Sequence, residues 1–309
     1  MDVEYIIILC LIVLSIILNS IVVFVLVFHW KTLKNRDIIV LSLAVADLLK
    51  AVIGYPYLLT DYGRPPREGA TPQCIISAFV ITWASITTIA HLVMLSLTLY
   101  IALNYPYLLA RLKPKVYSLV VFVLPCWLYG LLWAVMPLLG WSSYDKETSE
   151  GYRCAMNLRE HTINVVSYNV CLLLVAFAFP LVIALICFVN VTRIFKTLTE
   201  TAANTNGTDS SMDRETRRQE HSIYVLNMIM FSAFVLAWFP YASFVIMTVF
   251  KHEPSQRLFD IAAILAKTSS FYNPIIYAFA YKQFRTKAKR VLCRRKKDQR
   301  NKFETKTEV

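Results

Sequence analysis

Seven apolar blocks, near residues 5–29, 37–60, 73–104, 116–139, 163–195, 221–250 and 257–280, constrain this chain more than any other feature. Each is long enough to cross a bilayer, which takes about 20 apolar residues at helical rise. Strands of a membrane barrel would alternate over about ten residues. These blocks do not alternate, and helices are then the remaining way to satisfy the backbone in lipid. Composition agrees, with 57% of the 309 residues hydrophobic and only 7 glycines. The expected fold is an all-α membrane protein: a seven-transmembrane helix bundle with a short amphipathic eighth helix at 281–292. Residues 1–293 form that one domain and 294–309 a basic cytoplasmic tail.

Charge sets the orientation. Lys31, Lys34 and Arg36 lie in the first connection, Arg111, Lys113 and Lys115 in the third, and Lys196, Arg214, Arg217 and Arg218 in the fifth, with a still denser tail. The N-terminus carries Asp2 and Glu4. Seven crossings with the N-terminus outside and the C-terminus inside satisfy every connection. The first block lacks a basic flank and exceeds a secretory core in length, so it reads as a retained helix. The net charge of +12 is mostly cytoplasmic and favours anionic membrane lipid over nucleic acid.

Cys74 and Cys154 alone fall in the oxidising compartment, and their pairing would tie the second outer loop over the bundle. Cys10, Cys126, Cys171 and Cys187 lie within apolar blocks as packing residues, and Cys293 follows the amphipathic run as an acylation site or a free thiol. The sequons at Asn190 and Asn206 face the cytoplasm and take no N-glycan. The polar stretch from Thr197 to Glu220 reads as a mobile loop.

Ionisable groups at bilayer depth are costly, which makes Asp47, Lys50, His91 and Lys267 stand out. Asp47, with Asn19 and Asn273 on other helices, forms either interhelical glue or a site for a small cation or water. Lys50, three residues on, is placed to pair with Asp47. Lys267 has no nearby acid on its own helix, since Asp260 is almost two turns away. A lone lysine in a dry site tends toward neutral amine, suited to condense with an aldehyde. Pairing with an acid on another helix is the other reading.

The run AKTSSFYNPIIYAF at 266–279, followed by YKQFR, resembles the opsins, in which a chromophore-bearing lysine precedes Asn-Pro-X-X-Tyr by six positions. Asn19, LAVAD at 43–47, the Cys74 and Cys154 pair, Trp127, PLLGW at 137–141, Pro180 and AWFPYA at 237–242 extend the resemblance over nearly the whole chain. It implies retinal as cofactor, 11-cis or all-trans, joined to Lys267 as a Schiff base. The implied pocket is Thr82, Ser85, Phe177, Phe234, Trp238, Tyr241 and Ala263. Photoisomerisation would press on Trp238 beside Pro240 and swing the inner half of helix six outward.

Vertebrate visual pigments supply a counterion three residues after the third-helix cysteine, where this chain has Ser77. Glu147 aligns with the acidic loop position of many invertebrate and non-visual opsins, with Asp145 and Glu150 as alternatives. Lys50 aligns toward the chromophore, about one turn away. Two like charges about 5 Å apart repel by roughly 3 kcal/mol at an effective dielectric near 20. If Asp47 leaves Lys50 charged, an ultraviolet-absorbing, unprotonated form is expected.

The signalling pattern is altered as well. Thr98, Leu99 and Tyr100 stand where the family carries Asp/Glu-Arg-Tyr, so Glu220, the matching helix-six acid, has lost its expected partner and the resting state should be weakly locked. Phe188 replaces a helix-five tyrosine, while Asn273, Pro274 and Tyr277 keep the helix-seven switch. Two functions follow: a light-activated receptor for a heterotrimeric G protein, with arrestin as a further implied partner, or a photoisomerase of retinochrome type with little coupling. A receptor for a diffusible ligand is the remote third. Thr307 and Val309 in the terminal KTEV suit strand addition to a PDZ domain.

Overall fold

In a computed structural model of the chain, residues 3–59, 70–111, 115–146, 154–158, 160–204, 211–252 and 255–291 are described. Expectations resting on Glu147, Glu150, Asn206, Cys293, Thr307, Val309 and the tail lie outside them.

Helix α1 is Val3–Phe28. Helix α2 runs through Asn35–Leu49, a π-helical stretch Lys50–Gly54 and Tyr55–Leu59. Helix α3 is Pro72–Asn104, begun by Pro72 in the first turn and by the Thr71 hydroxyl, which accepts from the Cys74 N–H at 3.2 Å. Helix α4 comprises Lys115–Ser118, Leu119–Val123 and Leu124–Val135. Helix α5 comprises Ile163–Cys171, Leu172–Ala178 and Phe179–Asn204. Helix α6 is Ser211–Val249, and α7 is in two pieces, Gln256–Thr268 and Tyr272–Ala280. Residues 282–291 form α8.

Six helices are long and apolar enough to cross a membrane among the described residues. The broken α7 completes the seven. Their lipid-facing sides carry exposed Leu, Ile, Val and Phe, such as Phe24, Leu128, Leu185 and Phe239, as expected of helices whose solvent is hydrocarbon.

One expectation needs correction here. The polar fifth connection is largely helix: α5 continues to Asn204 and α6 already begins at Ser211. Its Glu, Arg, Gln and Ala residues are strong helix formers, and each segment extends a helix already nucleated in the membrane. The second outer loop contains a hairpin that alternation did not reveal, β1 (Tyr144–Lys146) antiparallel to β2 (Cys154–Met156). Its three-residue strands, in register Tyr144↔Met156, Asp145↔Ala155 and Lys146↔Cys154, are too short to show a period.

The Cys74–Cys154 disulfide, with Cα atoms 5.3 Å apart, fastens β2 to the start of α3. The Tyr144 hydroxyl donates to the Ala134 carbonyl at 2.8 Å, which fixes the other strand to the end of α4. The hairpin is therefore a roof anchored on two helices.

Helix α3 is the central element, packed against α2, α4, α5, α6 and both strands. Its approach to α4 is closest at Gly130, where an added Cβ would lie 2.2 Å from Thr87 Oγ1 and 2.7 Å from the Trp83 carbonyl. Backbone cannot move aside cheaply in a packed interior. Gly130→Ala is expected to lower stability by about 1–3 kcal/mol, read as a fall in the thermal unfolding midpoint of purified protein.

Candidate functional site

The break in α7 organises the centre of the molecule. Ser269–Phe271 interrupt the helix, so carbonyls there lose their intrahelical donors. Helix α1 supplies new donors to one of them, and α2 and α6 hold the serine hydroxyls of the break. The Ser270 carbonyl accepts from Ser15 Oγ at 3.0 Å and from Asn19 Nδ2 at 2.7 Å, both on α1. From α2, the Tyr55 hydroxyl meets Ser270 Oγ at 2.6 Å. From α6, the Trp238 indole N–H donates to Ser269 Oγ at 3.2 Å.

Lys267 sits at the last turn before this break, and its ammonium nitrogen reaches the Ala263 carbonyl at 3.3 Å. It borders an elongated cavity among α3, α5, α6, α7 and β2 that leaves about 130 Å³ for the centres of water-sized molecules. All seven residues expected from sequence line it: Thr82, Ser85, Phe177, Phe234, Trp238, Tyr241 and Ala263. Phe234 stacks on Trp238 with ring centroids 5.8 Å apart, and Tyr241 meets the same indole edge-on at 6.0 Å. Ile86, Ile89, Leu172 and Val245 complete a largely apolar wall. The lining is therefore largely apolar and aromatic with one primary amine, a chemistry that suits an apolar aldehyde.

Tyr55, Met156 and Asn169 are among the liners that the sequence did not single out. Tyr55 enters the wall because the π-helical turn Lys50–Gly54 shifts the register of α2 beyond it. Met156 comes from the hairpin roof. Asn169 was visible in principle as a polar residue within a membrane block; its Nδ2 donates to the Asn157 carbonyl at 2.9 Å, holding the roof to α5. No carboxylate is among the described lining residues. Asp145 is in β1, where its carboxylate accepts the Lys146 N–H at 2.7 Å.

Lys50 does not act as a second cation toward the chromophore site. Its nitrogen lies 2.8 Å from Asp47 Oδ1 and 3.4 Å from Thr88 Oγ1, both side chains are buried, and neither Lys50 nor Asp47 lines the cavity. The condition for an ultraviolet-absorbing form, a Lys50 left unneutralised, is not met. The supposed cation or water cluster changes too. Asn273 Nδ2 donates to Asp47 Oδ2 at 3.3 Å, but Asn19 bonds to Ser15 and Ser270 instead. The lysine occupies the carboxylate oxygen where a free cation would bind.

At the inner face, Glu220 has a partner after all. Arg36, at the start of α2, holds its carboxylate at 3.1 Å, with both side chains largely shielded. Sequence comparison looked for that arginine on helix three, where Leu99 is buried as a hydrophobic residue and the Thr98 hydroxyl turns back to the Leu95 carbonyl. Next to Arg36, buried Asp37 accepts from the Tyr281 hydroxyl at 2.9 Å and pairs with Lys287. Those contacts fix α8 to α2. Asn273, Pro274 and Tyr277 are buried where α7 resumes, and Tyr100 is half-buried at the inner end of α3. Phe188 packs edge-on against Tyr224 and Phe231.

This architecture, seven crossings with a lysine-ended cavity beneath a disulfide-tied roof, defines a seven-helix membrane receptor. The family profile for "7 transmembrane receptor (rhodopsin family)" matches residues 18–277. Rhodopsin of Sardina pilchardus is 31% identical over 286 residues, covering 89% of this chain and 76% of its own. The visual pigment-like receptor peropsin of Mus musculus is 29% identical over 274 residues, covering 87% and 78%. The crystal structure of squid rhodopsin superimposes with a TM-score of 0.81 at 19% identity, covering 93% of this chain and 83% of that one. The chain belongs to the opsins of the rhodopsin family of seven-transmembrane receptors. It is accordingly a multi-pass membrane protein.

Removing one member of a buried ion pair leaves the other uncompensated and costs about 3–5 kcal/mol, whereas replacing both with apolar groups is near neutral. Asp47→Leu and Lys50→Met are each expected to destabilise the protein strongly, and the double variant to recover most of the loss. Melting midpoints of the four proteins measure the coupling.

Proposed function

We propose that this opsin is a light sensor that binds retinal covalently through Lys267 and relays the event through α6. Retinal, when bound, supplies light absorption and a change of shape. The observation that carries the reading is that one amine and seven independently expected pocket residues surround a single apolar cavity.

The chain's own part is positioning, exclusion and relay. Ile86, Ile89, Phe177 and Phe234 line the cavity that the Lys267 amine borders and keep its wall apolar. Met156 and the hairpin close the outer side. Trp238 faces the cavity while its indole N–H reaches across to Ser269, so pressure from the cavity acts on a contact between α6 and the break in α7. Two residues further on, Pro240 removes an amide from the α6 ladder and gives the helix a place to bend.

The resting position of α6 is held at its inner end by Arg36 and Glu220. A partly shielded pair on two long helices resists separation more than the ~0.2–1 kcal/mol of an exposed pair. In the proposed cycle the pair opens when α6 swings outward and exposes the inner face to a G protein. Glu147, which directly follows β1, is the proposed anion for a protonated Lys267 adduct. The missing helix-three arginine favours a second reading, a photoisomerase that leaves nucleotide exchange unchanged.

Borohydride reduction of protein incubated with 11-cis or all-trans retinal is expected to trap an adduct on Lys267, and Lys267→Ala to abolish it. Absence of a trapped adduct in the parent protein overturns the chromophore reading. Arg36→Gln and Glu220→Gln should each raise G-protein nucleotide exchange in the dark severalfold without changing adduct yield. Light-driven change in retinal isomer composition with no exchange in any variant selects the photoisomerase. Glu147→Gln should move visible absorption of the loaded protein toward the ultraviolet, while Asp145→Asn and Glu150→Gln leave it in place.

A further inference from the structure

The inner face holds a second cavity that the light-sensing reading does not use. It leaves about 750 Å³ for the centres of water-sized molecules, between the first inner connection, the start of α6 and the length of α8. Six of its lining side chains are cationic: Lys34, Arg214, Arg218, Lys282, Lys287 and Arg290. Glu215 is the one acid among the described lining residues. Like charges on three facing walls repel, so the arrangement favours an occupant that brings negative charge.

Lys287 is held in place by Asp37, which fixes one wall. The side chains of Lys34, Arg218, Lys282 and Arg290 have no ion pair among the described residues and are exposed toward the cavity mouth. Hydroxyls of Thr32, Ser222 and Thr286 stand between the cations. Tyr281 is the only aromatic liner described, and its hydroxyl is committed to Asp37, which leaves little to stack a nucleobase. Forked guanidinium groups and ammonium groups around hydroxyls suit clustered phosphomonoesters.

Location narrows the class further. Helix α8 buries Phe284 and Val291 against the bundle and exposes Lys282, Arg285, Lys289 and Arg290, the pattern of a helix lying in a membrane interface. The cavity is lined by α8 and the first inner connection, which puts it on the side of the bundle that faces the inner, anionic leaflet. We propose that this cavity binds the multiply phosphorylated inositol headgroup shared by phosphoinositide lipids and soluble inositol polyphosphates. An occupant there bridges Arg214 and Arg218 on α6 to Lys282 and Arg290 on α8, across the direction in which α6 would open. The binding step does not rest on the chromophore reading and is measured without retinal.

The test uses the full chain in nanodiscs. One set contains phosphatidylinositol bisphosphate in phosphatidylcholine, a second contains phosphatidylserine at equal total charge, and inositol hexakisphosphate is the soluble probe. The double variant Arg218→Gln/Lys282→Gln is compared with Lys31→Gln/Lys289→Gln, which removes the same charge from exposed positions outside the cavity lining; unchanged melting midpoints establish that both fold. The parent is expected to prefer the bisphosphate lipid over phosphatidylserine by about tenfold, the cavity variant to lose about tenfold and the surface variant less than about threefold. Stronger retention of the lipid assigns the ligand to the membrane; equal or stronger binding of inositol hexakisphosphate assigns it to the soluble pool. Equal losses in the two variants, or equal binding of the two lipids at matched charge, overturn the proposal by reducing the cavity to diffuse surface charge.

Discussion

Hydrocarbon offers no hydrogen bonds, and this governs how the chain solves every interruption of its helices. The break at Ser269–Phe271 persists because side chains from α1 arrive at the Ser270 carbonyl it frees, while α2 and α6 hold the serine hydroxyls beside it. Those same bonds hold the last turn of the first α7 segment, and with it Lys267, against the cavity. The polar contacts that stabilise the break also aim the amine. Asp47 follows the same rule, since its charge is tolerated only with Lys50 and Asn273 on it.

Much of the function was legible before any coordinates. The crossings followed from apolar length, the expected orientation from Lys and Arg placement, and the cavity lining from the resemblance to the opsins that Lys267 in register with Asn273 carries. What stayed hidden depends on partners far apart in sequence. Arg36 and Glu220 are separated by 184 positions, and nothing local to either residue names the other. Tyr55 was hidden for a different reason: the irregular turn before it breaks the 3.6-residue period by which faces are read. The hairpin strands were too short for any period, and the extensions of α5 and α6 into polar sequence look like loop by hydropathy alone. Propensity there was the better guide.

On the inner face α6 is tethered by Arg36 of α2. Leu99, at the helix-three position where the resemblance implies an arginine, is buried as a hydrophobic residue. Arg36 adjoins Asp37, which anchors Tyr281 and Lys287 of the α7–α8 corner. A shift of α2 would therefore be felt by α6 and α8 together. The arrangement places the coupling of the inner face on α2, the helix that also carries the Asp47–Lys50 pair toward its middle.

The π-helical turns have an evolutionary corollary. A wide turn such as Lys50–Gly54 accommodates one residue more than a regular helix of the same rise. Removing one residue within it would restore a regular helix and leave the residues outward of it on the faces they now occupy, Tyr55 toward Ser270 included. A deletion in the neighbouring regular turns has no such slack and would rotate everything outward of it by about 100°. The wide turn is thus the one place along this stretch where the span can change length without undoing the brace on the α7 break.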